Sequence, residues 1–379
     1  LVGSEMCIRD STLPTNGSES SKTVFLGLNC EATSTASGFR TATTSIPAIT
    51  KPTSEKHPDP RALYHIPAKP LAHRGRMKKK IHDASLMTAI KTPYKSGGEI
   101  DLDCYDELVT EQMRNGVEGL IVCGTTGEGH LMDWEEHLML IAHSVNRFGD
   151  ELVIVGNTGS NNTREALKAT RYGFAFGMDA SLQINPYYGK TSEKGLREHF
   201  NRVLDLGPAI IYNVSSRTGQ DLQPELIESL AEHSNLVGVK ECSGNERMGY
   251  YESKGIACWS GNDDQCFEGR HRNQSHGVIS VIANLLPGLM RKLMDEDNSE
   301  LNQRLQPLMA WLFHVPSPNA LNTAMAMTGS APPVFRLPYA PLNSNARQEG
   351  FQLLNAFSDD ERVGNTLKMM DDSDFELSC

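Results

Sequence analysis

The sequence has no C-x-x-C pair, and its eight cysteines (Cys7, Cys30, Cys104, Cys123, Cys242, Cys258, Cys266 and Cys379) are scattered over 379 residues. That spacing supports neither a zinc ribbon nor a small disulfide scaffold, and it fits a reducing compartment. No run of about 18 consecutive apolar residues occurs, which excludes a membrane-spanning helix. The twelve histidines form no H-E-x-x-H and no closely spaced ligand cluster, so no metal site is expected. Positive charge is scarce too: 36 Lys and Arg stand against 47 Asp and Glu, a net charge of −11, with no basic face in the body of the chain. Nucleic acid is therefore not expected as a partner, and the balance suits an enzyme of small metabolites.

What is present divides near residue 85. Of residues 1–54, 19 are Ser or Thr and only four are acidic, and no apolar period of helix or strand is sustained. Such a stretch cannot build a core. It leads to a basic cluster, His73, Arg74, Arg76, Lys78, Lys79, Lys80 and His82. A leader rich in Ser and Thr, poor in acids and basic towards its end has the composition of an organellar transit peptide, and residues 1–85 are read as one.

From Leu86 the chain alternates short β-rich apolar runs with amphipathic stretches of helical length. The runs are Leu86–Lys91, Gly119–Val122, Leu152–Gly156, Ser181–Asn185, Pro208–Asn213, Leu236–Lys240, Ile256–Trp259 and Gly277–Ser280, and Trp134–Arg147 and Ser192–Leu206 are clear helical segments between them. Strands apolar throughout, rather than alternating, belong to a parallel sheet buried on both faces. Eight in succession predict an α/β fold, a (β/α)8 TIM barrel over residues 86–298. Residues 299–379 read as a C-terminal helical region. No G-x-G-x-x-G follows the first strand, so an open dinucleotide-binding sheet lacks its main support.

In such a barrel the chemistry gathers where strands end. Lys240 follows the apolar run Leu236-Val237-Gly238-Val239, and burial there favours the neutral amine that attacks a ketone to form a Schiff base. Tyr212 on the neighbouring strand can shuttle protons, with Thr125 and Tyr188 supplying further hydroxyls towards solvent. Gly124-Thr125-Thr126-Gly127 offers close backbone approach and amide donors for a carboxylate, and Arg217 offers a planar fork for a second one. Taken singly, each has a bland reading: a surface lysine, a core tyrosine, a tight turn, a loop arginine. Together they suit condensation of an α-keto acid with a second carboxylated substrate.

Gly124-Thr125-Thr126-Gly127-Glu128, Asn185-Pro186-Tyr187-Tyr188, Tyr212-Asn213-Val214-x-x-Arg217-Thr218-Gly219, Gly238-Val239-Lys240-Glu241 and Gly277-Val278-Ile279-Ser280 occur in this order. Over about residues 86–370 the chain resembles the dihydrodipicolinate synthase (4-hydroxy-tetrahydrodipicolinate synthase) family, and its plant members closely. The resemblance implies a plastid lyase in which pyruvate forms a Schiff base on Lys240, with no other cofactor. It implies a proton relay of Tyr212, Thr125 and Tyr188, the last reaching a neighbouring subunit's site. Arg217 would receive aspartate semialdehyde, while Thr126, Gly261 and Ile279 would line the pyruvate pocket. It also implies feedback inhibition by lysine at Trp134, His137, Asn161, Glu165 and Tyr187, and a homotetramer.

Some positions depart from the family pattern. Ser215 replaces a proline, Val315 and Ser317 replace Glu and Asn, and the segment Glu268–His276 reads differently. None of these is Lys240 or a relay residue. The nearest rival is another Schiff-base aldolase, an N-acetylneuraminate lyase or a 2-keto-3-deoxy sugar acid aldolase. Arg217 and the Thr125-Thr126 pair favour a dicarboxylate over a polyol. A rival of a different class is a non-catalytic lysine-binding barrel, against which the complete Lys240, Tyr212, Thr125 and Tyr188 set speaks.

Overall fold

The computed structural model describes residues 81–379, so the leader lies outside the described residues except for its last five. Eight parallel strands close into a barrel: β1 Leu86–Ala89, β2 Gly119–Val122, β3 Val153–Asn157, β4 Ala180–Ile184, β5 Ala209–Asn213, β6 Leu236–Glu241, β7 Cys258–Ser260 and β8 Gly277–Ser280. β1 pairs with both β2 and β8, which completes the ring.

The apolar runs form strands because both faces of each are buried, and neighbouring residues go to different layers. Met87, Ile121, Val153, Val155, Ile210 and Tyr212 pack inside the barrel. Leu86, Leu120, Val122 and Ile154 face the surrounding helices on one side, and Ala209 and Ile211 on another. Strand β7 is shorter than its apolar run, because the amide of Ile256 is still engaged by the carbonyl of Tyr251 from the preceding helix. Ile81 and Ala84 also pack in the inner cluster, so the end of the compositional leader belongs to the folded base of the barrel.

The helices are α1 Leu102–Arg114, α2 Trp134–Phe148, α3 Thr163–Phe176, α4 Glu193–Leu204, α5 Ser215–Thr218, α6 Pro224–Leu230, α7 Asn245–Ser253, α8 Cys266–His271 and α9 Pro287–Asp295. Their starts are set by side-chain caps. Asp133 accepts from the amides of Glu135 and Glu136 at the head of α2, and Ser192 accepts from Gly195 at the head of α4. Beyond the barrel come α10 Ser299–Phe313, α11 Asn319–Met327 and α12 Ser344–Leu354, and a two-stranded parallel ladder of β9 Val334–Arg336 with β10 Glu376–Ser378. Among the described residues no helix is long and apolar enough to cross a membrane.

One irregularity positions the site. Leu236 faces outward, and strict alternation would send Gly238 and Lys240 outward with it. Instead the β5–β6 register shifts, pairing Ala209 with Leu236 but Ile210 with Gly238. The extra residue acts as a β-bulge and returns Lys240 to the inside, opposite Tyr212.

Candidate active site at the mouth of the barrel

A cavity of about 240 Å³ opens at the C-terminal ends of the strands. Its walls include Thr125, Thr126, Tyr212, Arg217, Lys240 and Gly261. Of the residues singled out by sequence for catalysis and substrate binding, these six come together. The volume is small for a binding pocket and fits compact substrates.

Lys240 is only 6% exposed, and its Nζ lies 4.5 Å from the centre of the Tyr212 ring. Burial holds the amine below its ordinary pKa; Cys242 and Asp263 pull it back up, and the positive charge of Arg217 pushes it down. A neutral amine facing a cavity is a nucleophile for a carbonyl carbon. Burial pushes the Tyr212 hydroxyl well above the usual phenol range, so it stays protonated; Cys242 beside it raises it further and the positive charge of Arg217 draws it back down. A protonated phenol between an arginine and an amine can give and take back a proton without becoming a stable anion.

Gly261 is required by the same geometry. A methyl group there would stand 2.3 Å from the Cys242 sulfur and 2.9 Å from Cε of Lys240. Arg217, on the short helix α5, is held from the far side by the carbonyl of Ser317 at 3.3 and 3.4 Å. The serine that replaces the usual Asn thus meets Arg217 through its backbone, which any residue supplies.

Two expected residues lie elsewhere. Ile279 is fully buried in the inner cluster and is not a wall of the cavity, a place taken by Val281. Tyr188 is 96% exposed, in a left-handed backbone conformation (φ +70°), and does not reach the cavity of its own chain.

Sequence reasoning missed Asn157, Cys242, Phe313 and Ser317, which also wall the cavity. Asn157 closes β3 and Cys242 follows β6, so a search of every strand end for polar side chains finds them. Phe313 and Ser317 come from the appended helical region and carry no such signal.

A second cavity, about 450 Å³, adjoins the first and shares Thr125, Asn157, Ile184 and Arg217 with it. Trp134, His137 and Tyr187 line it. The rings of Trp134 and His137 are 5.0 Å apart, one turn of α2. His137 is buried, which lowers its pKa; its Nε2 meets the carbonyl of Asn157 at 2.6 Å and its Nδ1 that of Gly129 at 3.2 Å. Asn161 sits at the edge, its amide donating to the Tyr187 carbonyl at 3.5 Å. Glu165, in the first turn of α3, is not among the walls of its own chain's cavity.

Residues 83–357 match the model of the dihydrodipicolinate synthetase family. The chain is similar to the chloroplastic 4-hydroxy-tetrahydrodipicolinate synthase of Nicotiana tabacum, 51% identical over 337 residues that cover 87% of this chain and 94% of that protein. Among solved structures it is similar to the chloride-inhibited dihydrodipicolinate synthase of Acinetobacter baumannii complexed with pyruvate, 31% identical with a TM-score of 0.69, covering 72% of this chain and 98% of that one. It is also similar to the enzyme of Cyanidioschyzon merolae with lysine bound, 28% identical with a TM-score of 0.69, covering 73% and 98%.

Proposed function

This chain belongs to the dihydrodipicolinate synthetase family, and we propose that it condenses pyruvate with L-aspartate 4-semialdehyde through a Schiff base on Lys240, as the first committed step of the diaminopimelate route. It is a lyase of lysine biosynthesis in the chloroplast. The observation that carries the mechanism is the buried amine of Lys240, facing the cavity with its Nζ 4.5 Å from the centre of the Tyr212 ring.

The amine adds to the ketone carbon of pyruvate and water leaves, giving an iminium. That cation acidifies the adjacent methyl group, and loss of a proton gives an enamine whose carbon attacks the aldehyde. The amine of the second substrate then displaces Lys240 from the iminium carbon and closes the ring. Tyr212 and Thr125 relay the protons. The Thr125-Thr126 turn receives the pyruvate carboxylate and Arg217 that of the semialdehyde. The chain's own lysine supplies the electrophilic chemistry, so neither a metal nor another cofactor has a step to perform.

Lysine inhibits by occupying the second cavity, against Trp134, His137 and Tyr187, with Asn161 and Glu165 completing the site. The lysine-bound relative supports this reading, as do the walls the two cavities share. The exposed Tyr188 supports assembly into a homotetramer, in which it enters a neighbour's cavity as the third relay hydroxyl.

The test is borohydride reduction in the presence of pyruvate, followed by intact mass and peptide mapping. A pyruvate-sized adduct on Lys240, lost in Lys240→Ala, is expected. A folded protein that takes no adduct would overturn the mechanism.

A further inference from the structure

The turn that carries Thr125 and Thr126 ends on a buried carboxylate that takes no part in the chemistry described so far. Glu128 is fully buried and has φ +57°, a backbone region non-glycine residues rarely adopt. A carboxylate removed from water must be paired and hydrogen-bonded, and two side chains distant in sequence do this. The ammonium of Lys91, itself only 3% exposed, forms an ion pair with Glu128 Oε1. The amide of Asn322, on α11 of the appended region, donates to the same oxygen at 2.7 Å.

Each partner is itself fixed. The backbone N–H of Lys91 donates to Asn284 Oδ1 at 3.0 Å, and the Asn284 amide donates to the carbonyl of Ala89, a wall of the catalytic cavity, at 2.9 Å. The end of β1, the loop after β8, the loop after β2 and helix α11 thus converge on one side chain. Glu128 closes the catalytic turn directly, since its amide donates to the carbonyl of Thr125 at 3.1 Å, and Gly129 donates to Gly124 at 3.2 Å. Any shift of Glu128 is passed to Thr125 through this turn. A buried ion pair contributes little net stability compared with apolar residues of the same shape, whereas breaking it leaves an uncompensated charge; what such a pair supplies here is a single geometry.

We propose that Glu128, clamped by Lys91 and Asn322, is a positioning residue that fixes the Thr125 hydroxyl for proton transfer, and that the appended helical region serves catalysis through this contact without touching substrate. The inference rests on the reading of Thr125 as part of the proton relay. The same region also receives Arg217 through the Ser317 carbonyl, so it braces both sides of the cavity mouth.

Three variants of the full chain test it: Asn322→Leu, Lys91→Met, and Lys91→Met combined with Glu128→Gln. In Asn322→Leu, kcat should fall about tenfold, because a small displacement of a proton-relay group is amplified in the rate. The pyruvate KM and the borohydride-trapped adduct after prolonged incubation should stay within about twofold of the unsubstituted chain. Lys91→Met should lose more, and adding Glu128→Gln should restore part of kcat, since it removes the unpaired charge while keeping an acceptor for Asn322. Should Lys91→Met fail to fold, Asn322→Leu alone decides. A kcat unchanged in folded Asn322→Leu, or one that falls in step with the trapped adduct and the melting temperature, overturns the proposal. Absence of the adduct from the unsubstituted chain would instead take down the Schiff-base reading itself.

Discussion

Lys240 and Tyr212 face each other across β6 and β5 with the amine 4.5 Å from the phenol ring, on a strand whose alternation from Leu236 points the lysine the other way. The register shift that turns Lys240 inward passes through Gly238, where a Cβ would stand 2.3 Å from the carbonyl oxygen of Ala257 and 2.9 Å from the Trp259 ring. Backbone cannot retreat as the tip of a side chain can. Gly238→Ala should therefore destabilise the fold by about 2 kcal/mol. It should also cut the pyruvate adduct on Lys240 about tenfold in the protein that remains folded. Thermal melting and borohydride trapping read the two effects separately.

Gly261→Ala acts on the same amine from the next strand. Its methyl group would meet both Cε of Lys240 and the sulfur of Cys242. The pyruvate KM should rise about tenfold, and Cys242→Ala added to Gly261→Ala should recover part of the loss by removing the closer contact. Steady-state kinetics of the two single variants and the double variant decide it.

Adduct formation should follow a pH curve set by Lys240. The reactive form is the neutral amine, so the trapping rate rises with pH, and its midpoint falls below the ordinary lysine value of 10.5 because burial disfavours the ammonium. Arg217 also lowers this pKa, so Arg217→Gln should move the midpoint up, leaving less neutral amine at a given pH. A midpoint that moves down would show that Arg217 does not act on Lys240 through its charge.

Tyr188 is exposed and is not a wall of its own chain's cavity, which makes subunit complementation the natural measurement. Tyr188→Phe and Lys240→Ala should each be nearly inactive alone. After co-refolding they should regain about a tenth or more of native activity, since a mixed pair contains one site with both groups intact. No recovery in verified mixed oligomers would remove Tyr188 from the neighbour's relay.

Of the three tryptophans, Trp259 and Trp311 are buried, whereas Trp134 is half-buried against the second cavity. Lysine should therefore change the intrinsic fluorescence, and Trp134→Phe should abolish that change. The same substitution should raise the lysine concentration for half-inhibition about tenfold, as loss of an aromatic wall removes apolar contact with the ligand's stem. Inhibition unaltered in Trp134→Phe would place the lysine site elsewhere.

The eightfold βα pattern was legible in the amino-acid sequence, because strands buried on both faces must be apolar throughout and the helices between them amphipathic, and both properties are written in adjacent residues. The sequence also marked five of the cavity walls, Thr125, Thr126, Tyr212, Arg217 and Lys240, because in a parallel barrel the strand ends are where chemistry-bearing residues meet; Gly261 was marked by the family resemblance. Tertiary structure alone decided which way Lys240 faces, since the parity of β6 depends on how it pairs with β5. It alone brought Ser317 to Arg217 across 100 residues and Asn322 to Glu128 across 194. Such contacts have no local period to betray them: they exist only once the barrel has closed and the appended helices have packed against its mouth.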